Sequence, residues 1–257
     1  MTGDDHVLAR DLAGQAGQRL LELRAQGGDP DVLRKAGDRL SHEFLTAALA
    51  GQRPGDVVLS EEGADNPERL GARRVWIVDP LDGTREFGEP GRTDWAVHVA
   101  LWEKGDVSGP GDLTAGAVAL PAQDQVLSTA EPPAPLPEDA ASGPVRIVVS
   151  RSRPPSFVRN ISGLINAELV PLGSAGAKVA AVICGEVDAY VHGGGFYEWD
   201  TAAPVAVARA AGLHASRIDG SALAYNQPDL LMPDILVCRP ALAGILLQAI
   251  REVTHAP

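Results

Sequence analysis

Val75-Trp-Ile-Val-Asp-Pro-Leu-Asp-Gly-Thr84 joins an unbroken apolar run to two aspartates, a glycine and a threonine. The apolar run, residues 75–78, predicts a strand that is buried on both faces. Loops at the ends of such strands are where a rigid scaffold presents chemical groups. The stretch therefore predicts a buried strand of an α/β fold with a functional site directly after it.

Asp79 and Asp82 are the first candidate site residues. They are three positions apart, and Pro80 fixes the backbone between them, so both carboxylates and the Leu81 carbonyl can turn toward one point. Mg²⁺ prefers oxygen ligands of this kind, usually one or two carboxylates with waters and substrate phosphate. The spacing therefore predicts a divalent metal site.

Gly83 and Thr84 add a candidate phosphate site. Gly83 has no side chain to keep a phosphate away from the backbone, and if the pair begins a helix, its N–H groups point at the anion. The alternative is an ordinary surface turn, since Asp, Pro and Gly are common turn formers. A plain turn explains neither the second aspartate nor the buried strand, so the metal and phosphate interpretation is preferred.

Two further acidic positions fit the same centre. Glu61 follows the short apolar run 57–59, and Asp200 precedes the helix-forming run 201–208. Taken alone, Glu61-Glu62 could be a solvated face and Asp200 a helix N-cap. Together with Asp79 and Asp82 they supply four carboxylates from three segments, enough for two or more metal ions.

Composition limits the class of protein. The chain has 257 residues, 45% of them hydrophobic, which suffices for one large domain or two packed halves. Its 34 acidic and 22 basic residues give a net charge of −12, so it has no basic footprint for nucleic acid or for an anionic membrane. A small anionic substrate would need local cations, which bound Mg²⁺ would supply.

The cysteines and the N-terminus suggest a cytoplasmic protein. Cys184 and Cys238 are predicted to be buried free thiols in a reducing compartment. The chain begins without a charged and then apolar signal segment, and no apolar run is long enough to span a bilayer.

The hydrophobic pattern predicts stacked layers of helix and sheet. Residues 131–144, rich in Pro and Ala, are predicted to be a surface loop or linker. Helices are predicted at 7–23, 39–49, 154–164, 174–184 and 200–211, and strands at 57–59, 75–78, 95–102, 115–120, 125–129, 145–150, 168–172, 187–192 and 235–238.

The acidic motifs match a known family. Glu61-Glu62, Asp79–Thr84 and Trp199-Asp200 resemble, in order and spacing, the three motifs of the inositol monophosphatase superfamily of Mg²⁺-dependent phosphatases. The resemblance covers nearly the whole chain. It implies the αβαβα sandwich of the sugar-phosphatase type, an α/β fold forming a single unit, 1–257, of two packed halves at about 1–140 and 145–257.

The flanking residues indicate a branch of that family. Thr84-Arg-Glu-Phe87 and Glu198-Trp-Asp200 are similar to the CysQ branch of 3'(2'),5'-bisphosphate nucleotidases. This resemblance implies removal of the 3'-phosphate from 3'-phosphoadenosine 5'-phosphate in sulfur assimilation, with 3'-phosphoadenosine 5'-phosphosulfate as a further substrate. Inositol-1-monophosphatase, fructose-1,6-bisphosphatase or a broad enzyme remain alternatives, as does a non-catalytic partner-binding protein.

The resemblance also assigns roles. Two or three Mg²⁺ ions, with Li⁺ as an inhibitor, would be held by Glu61, Asp79, the Leu81 carbonyl, Asp82 and Asp200. Asp38 is the best match to an aspartate that pairs with Thr84 and, with Glu61, activates water for in-line attack; it could also be the N-cap of the second helix.

Substrate contacts are implied for a further group of residues. Gly83 and Thr84 would bind the phosphate through their amides. The Gly-Ser turn entering a helix at Ser174 would contact substrate, although a helix start packed on a strand explains the same pattern. Candidate partners for the second phosphate are Arg85, Arg92 and Lys178. Relatives are often homodimers, so a homodimer is compatible with the resemblance.

Overall fold

Helices and sheets are stacked in alternating layers in the computed structural model, which describes residues 4–105, 110–135, 143–152 and 154–254. The helices are α1 (Asp5–Ala25), α2 (Pro30–Gln52), α3 (Thr84–Gly88), α4 (Ser156–Ile165), α5 (Ala175–Ile183), α6 (Glu198–Ala210) and α7 (Pro240–Thr254), with 3₁₀ turns at Pro67–Leu70 and Pro121–Gln123. The strands are β1 (Val57–Ser60), β2 (Arg74–Asp82), β3 (Ala96–Glu103), β4 (Asp112–Leu120), β5 (Gln125–Ser128), β6 (Arg146–Ser150), β7 (Glu168–Leu172), β8 (Ala189–His192), β9 (Phe196–Tyr197), β10 (His214–Ser216), β11 (Leu231–Met232) and β12 (Ile235–Cys238).

The described strands form two large sheets and one ribbon. The first sheet has the order β1-β2-β3-β4-β5, with β1 and β2 parallel and the other pairs antiparallel. The second sheet has the order β10-β12-β8-β6-β7, in which β6 is parallel to both β7 and β8. Strands β9 and β11 pair as a short antiparallel ribbon.

Strand β2 is covered on both faces, as its apolar run predicts. Trp76 and Val78 belong to the core formed with α1 and α2, whereas Val75 and Ile77 belong to the core formed with α5 and α6. All four side chains are fully buried. Because successive side chains of a strand point to opposite faces, an uninterrupted apolar run is what a strand between two helical layers requires.

The helices complete the αβαβα sandwich. Helices α1 and α2 cover the outer face of the first sheet, and α5 and α6 fill the space between the two sheets. Helices α4 and α7 pack on each other and cover the outer face of the second sheet. The layered fold expected from the resemblance is confirmed.

Three local predictions need correction or restriction. The second helix begins at Pro30 rather than near 39, and its N-cap is Asp29, so the interpretation of Asp38 as an N-cap is wrong. Cys238 is buried, but Cys184 is exposed, because it lies at the C-terminal end of α5. Within the loop predicted at 131–144, residues 136–142 lie outside the described residues. Among the described helices, none is long and apolar enough to cross a membrane.

Candidate active site

A β-bulge at the end of β2 brings Asp79 and Asp82 together. Asp79 pairs with His98 of β3 and Asp82 pairs with Ala96, so three steps along β2 match two steps along β3. Residues three apart in a regular strand point to opposite faces. The bulge adds one residue to β2 between Asp79 and Asp82, so both side chains point to the same face. The Leu81 N–H donates to Asp79 Oδ1 over 3.0 Å and fixes the bulge.

Asp200 completes an acidic cluster with these two residues. In the described part of the chain, one carboxylate oxygen from each of Asp79, Asp82 and Asp200 lies within 4.8 Å of the others. Asp200 is the third residue of α6, and its carboxylate also accepts the N–H of Tyr197 over 2.6 Å. The N-cap of α6 is Tyr197, so the interpretation of Asp200 as the N-cap is wrong; Asp200 lies at the third helical position, where it accepts the N–H of the N-cap residue and also belongs to the cluster.

Glu61 reaches the same cluster from β1. This strand runs parallel to β2, and the Glu61 N–H donates to the Val78 carbonyl, so the two strand ends lie side by side. The carboxyl group of Glu61 shares a hydrogen bond with that of Asp79. Asp79 is buried, whereas Glu61 is exposed as a residue, although its carboxyl group is largely enclosed where it meets Asp79.

The crowding of carboxylates changes their protonation. Burial, followed by repulsion from neighbouring carboxylates, raises the pKa of Asp200 to about 6 and the pKa of Asp79 well above its ordinary value. Burial and the same neighbours raise the pKa of Glu61 to about 7. Carboxylates crowded together without a nearby positive charge hold their protons more tightly. A hard divalent cation would supply that charge, and carboxylate oxygens are the ligands it prefers.

Asp82 is the exception in this cluster. Burial alone would raise its pKa, but a hydrogen bond and charge from His98, with the Gly176 N–H, hold the pKa of Asp82 below its ordinary value. The Nε2 of His98 lies 3.2 Å from Asp82 Oδ2, and its Nδ1 donates to the Trp199 carbonyl over 3.1 Å. Sequence reasoning did not identify His98; the available signal was a histidine within the otherwise apolar strand 95–102.

Helix α5 also points its first amides at Asp82. The N–H groups of Ala175 and Gly176 donate to the two Asp82 carboxylate oxygens over 3.2 and 2.5 Å. A Cβ on Gly176 would overlap His98 and come within 3.1 Å of Asp82 Oδ2. The glycine is therefore needed for α5 to approach the acidic cluster.

The Asp38–Thr84 pair expected from the resemblance is present. Asp38 lies in the middle of α2, and the Thr84 hydroxyl is 3.3 Å from Asp38 Oδ1 and 3.1 Å from the Leu81 carbonyl oxygen. Gly37 allows this approach, since a Cβ there would lie 2.9 Å from both Leu81 and Phe87. Burial and the charge of Glu62 raise the pKa of Asp38 to about 6, although its bond to Thr84 acts in the opposite direction.

Gly83 allows the strand end to turn into helix α3, which begins at Thr84 as predicted. Its φ of 81° lies in the left-handed region that favours glycine. A Cβ at this position would also lie 2.8 Å from the Ser174 side chain and 3.2 Å from the Asp94 carbonyl. Both constraints place the backbone of residues 83 and 84 directly beside the turn that precedes α5.

Ser174 and Lys178 line the cleft, but their side chains are bonded within their own turn. Ser174 caps α5 by accepting the Ala177 N–H over 2.9 Å. The buried Lys178 ammonium donates to the carbonyls of Gly173 and Ser174, and burial lowers its pKa. The helix-start interpretation of this segment is thus confirmed, and direct substrate contact by either side chain stays a prediction.

The acidic cluster opens into a cleft of about 640 Å³. Asp82, Asp200, Gly83, Thr84 and Arg85 form one end, and the opposite wall comes from residues of the second half, including Arg151, Tyr190 and the segment 192–196. Arg85 is exposed at the rim.

Two arginines differ from expectation. Arg92 does not line this cleft and is paired with Asp94, so its predicted role toward a second phosphate is not supported. Arg151, which no motif indicated, lines the cleft and forms ion pairs with Glu86 over 2.7 Å and Glu89 over 3.1 Å.

Comparison with known proteins agrees with this site. The model of the inositol monophosphatase family matches residues 8–255. The 3'-phosphoadenosine 5'-phosphate phosphatase of Mycobacterium leprae is 51% identical, over 97% of this chain and 94% of that protein. The 3'(2'),5'-bisphosphate nucleotidase CysQ of Escherichia coli K12 is 30% identical, over 84% of this chain and 91% of that protein.

Solved structures match as well. Inositol monophosphatase II from Staphylococcus aureus superposes with a TM-score of 0.79 at 23% identity, covering 96% of this chain and 95% of that one. CysQ from Bacteroides thetaiotaomicron superposes with a TM-score of 0.76 at 28% identity, covering 91% of this chain and 97% of that one.

Proposed function

The chain belongs to the inositol monophosphatase family, and we propose that it is the phosphatase that removes the 3'-phosphate from 3'-phosphoadenosine 5'-phosphate. The observation that carries this proposal is the acidic cluster of Asp79, Asp82 and Asp200 at the end of a cleft. The sequence similarity supports the same proposal: over almost its whole length the chain is about half identical to mycobacterial proteins named 3'-phosphoadenosine 5'-phosphate phosphatase.

The metal-binding residues are Glu61, Asp79, Asp82, Asp200 and the carbonyl of Leu81. These oxygen donors fit Mg²⁺, and we propose that they hold two or three ions. The bound metal supplies positive charge for the phosphoryl and leaving oxygens and lowers the pKa of the attacking water. The carboxylates that retain protons without a cation become its ligands once it binds.

Asp38 and Thr84 remove the proton from water. At neutral pH the Asp38 carboxylate, with its pKa of about 6, is largely ionised and accepts a hydrogen bond from the Thr84 hydroxyl. The Thr84 oxygen can then accept a hydrogen bond from water and orient it toward phosphorus. As the water attacks, its proton passes to the Thr84 oxygen and the Thr84 hydroxyl proton passes to Asp38. Glu61 is the second group that we propose can take this proton from the water.

Substrate is held in the cleft, between residues of the first and second halves of the chain. The N–H groups of Gly83 and Thr84 bind the phosphate that is removed, because Gly83 leaves the backbone accessible at the start of α3. Arg85 stands at the rim, where a second phosphate group would lie. Ser174 and Lys178 line the wall beside them and contribute through the turn that they hold in place.

The test is phosphate release by the purified protein in Mg²⁺. The specificity constants are compared for 3'-phosphoadenosine 5'-phosphate, inositol 1-phosphate and fructose 1,6-bisphosphate, with 3'-phosphoadenosine 5'-phosphosulfate as a fourth substrate. We expect a clear preference for the adenosine bisphosphate. Similar constants for all substrates would indicate a broad phosphatase, and no release from any would favour a non-catalytic binding protein.

Three further features belong to this proposal. Inhibition by Li⁺ is expected from the family and is measured in the same assay at saturating Mg²⁺. A homodimer is compatible with the resemblance, and light scattering of the purified protein tests it. We place the protein in the cytoplasm, because a reducing compartment preserves free thiols such as those of Cys184 and Cys238. A role in sulfur assimilation is what the family resemblance implies.

A further inference from the structure

A short turn, Tyr225–Gln227, connects the segment that carries Glu61 with the helix that carries Asp200. We propose that Arg69 and Asn226 are positioning residues for the metal centre, and that they act by fixing the spacing between these two carboxylates through the turn. The inference rests on the metal ligands of the proposed function, and it concerns residues that do not themselves line the cleft.

Arg69 links the turn by hydrogen bonds to the segment 61–69, which begins at Glu61. Its guanidinium is 1% exposed and donates to Asn226 Oδ1 and to the Gln227 carbonyl, each over 2.9 Å. The Asn226 amide returns a hydrogen bond to the Arg69 carbonyl over 3.0 Å. Arg69 also forms an ion pair with Asp65, which closes the loop that begins at Glu61.

Glu198 and Thr201 fasten the same turn to α6. The Glu198 carboxylate is fully buried and accepts the N–H groups of Asn226 and Gln227 over 2.6 and 2.7 Å. The Tyr225 hydroxyl lies 3.2 Å from the buried hydroxyl of Thr201. Because Glu198 and Thr201 flank Asp200 in the helix, the position of the turn sets the position of Asp200.

The charges show why this connection is rigid. A buried carboxylate and a buried guanidinium both bind this turn: its N–H groups donate to Glu198, and the Gln227 carbonyl accepts from Arg69. Removing one member leaves buried polar groups without partners, which is costly in a medium of low dielectric constant. At its other end the Glu61 segment is fixed by the hydrogen bond from the Glu61 N–H to the Val78 carbonyl. Both ends of the segment are therefore anchored.

Residues that orient metal ligands without touching the metal change metal affinity when they are replaced. The loss is typically about 10–100-fold. A residue with a purely structural role would instead lower the melting temperature and leave the affinity of the folded protein for the metal unchanged. Metal affinity and thermal stability therefore separate the two roles.

The test uses Asn226→Gly and Arg69→Met in the full chain. Asn226 has a φ of 58°, so glycine keeps the left-handed backbone and the N–H that Glu198 accepts. It removes the two hydrogen bonds between the Asn226 side chain and Arg69 and leaves the bond from Arg69 to the Gln227 carbonyl. Isothermal titration with Mg²⁺ alone measures affinity in the absence of substrate. We expect a loss of about 10–100-fold in both variants, with an unchanged KM for 3'-phosphoadenosine 5'-phosphate at saturating Mg²⁺.

Arg239→Met is the matched control. Arg239 is also buried and paired, to Asp188 over 3.1 Å, but it lies between β12 and α7 and does not line the cleft. This variant should melt at a lower temperature and bind Mg²⁺ like the wild type. If Asn226→Gly and Arg69→Met behave like this control, the positioning role is overturned; if Arg69→Met does not fold, Asn226→Gly decides.

Asp79→Asn distinguishes this failure from a failure of the proposed function. Lost Mg²⁺ affinity in Asp79→Asn, together with normal affinity in Asn226→Gly, would overturn the positioning role alone. Unchanged affinity in Asp79→Asn would overturn the assigned ligands, and the positioning role with them.

Discussion

Replacing Gly176 with alanine tests how closely helix α5 must approach the acidic cluster. The new Cβ would overlap the Nε2 of His98 and lie 3.0 Å from the Ala96 Cβ. His98 has no room to move, because it is fully buried and its Nδ1 is bonded to the Trp199 carbonyl. The helix must therefore shift, and the N–H groups of Ala175 and Gly176 must move away from Asp82.

The size of the effect follows from these contacts. Adding a methyl group to a packed interior costs about 1–3 kcal/mol, and weakening hydrogen bonds to a charged group costs about 1.5–3 kcal/mol. The higher helix propensity of alanine offsets about 1 kcal/mol. The free energy of unfolding should therefore fall by about 1.5–5 kcal/mol. For a chain of this size the melting temperature should fall by about 3–20 °C.

Differential scanning calorimetry with and without Mg²⁺ measures the loss of stability. The rate of phosphate release shows whether the weakened hydrogen bonds to Asp82 also lower activity. Gly163→Ala is the matched control, because Gly163 lies within α4 and a Cβ there meets nothing within 4 Å. This control should gain about 0.5–1 kcal/mol and keep full activity. If Gly176→Ala melts and turns over substrate like the wild type, the packing argument is refuted.

Three further predictions follow from the protonation and hydrogen bonds of the site. Asp79→Asn should abolish Mg²⁺-dependent phosphate release while the metal-free protein melts at the same or a higher temperature, because the change relieves carboxylate repulsion. Thr84→Val should lower kcat by about 100-fold or more with normal Mg²⁺ binding by titration calorimetry. In the folded, metal-free protein the pKa of Asp200 is about 6 and that of Glu61 about 7, above their ordinary values of 3.8 and 4.5. The two groups therefore contribute their full stabilisation of the metal-free protein below those ordinary values, and this contribution is lost as the pH rises to 7. Mg²⁺ should accordingly raise the melting temperature much more at pH 8 than at pH 5, and an equal rise at both would contradict this assignment.

The parts of the site that lie in one continuous segment could be predicted from the sequence. The apolar run 75–78 and the spacing of Asp79 and Asp82 are local properties, and the strand end adopts the expected geometry. The prediction that the second helix begins near residue 39 is wrong because Pro30 does not interrupt this helix but stands in its first turn. Asp29 followed by Pro30 is in fact an N-cap with proline in the first turn, which is a favourable way to begin a helix.

The residues that support the ligands could not be found in this way. Arg69 and Asn226 are 157 residues apart in sequence and meet only because α6 packs against the end of the first sheet. His98 and Asp82 meet because a bulge shifts the pairing of β2 and β3 by one residue, and no periodicity in either strand specifies that shift. Such contacts depend on the packing of separate elements, so they become visible only in three dimensions.

The position of Asp82 explains why this cluster can assemble before any cation is bound. Among the four clustered carboxylates, Asp82 has a lowered pKa, because the imidazole of His98 and the first amides of α5 surround it. Its charge is stabilised by fixed groups, whereas Asp79, Asp200 and Glu61 limit their repulsion by retaining protons. Below about pH 6 the metal-free cluster therefore has one ionised ligand and several protonated ones, and there a cation must displace those protons to bind. The fixed groups around Asp82 come from β3 and α5, so a change that moves α5 acts directly on the carboxylate that is ionised before the metal binds.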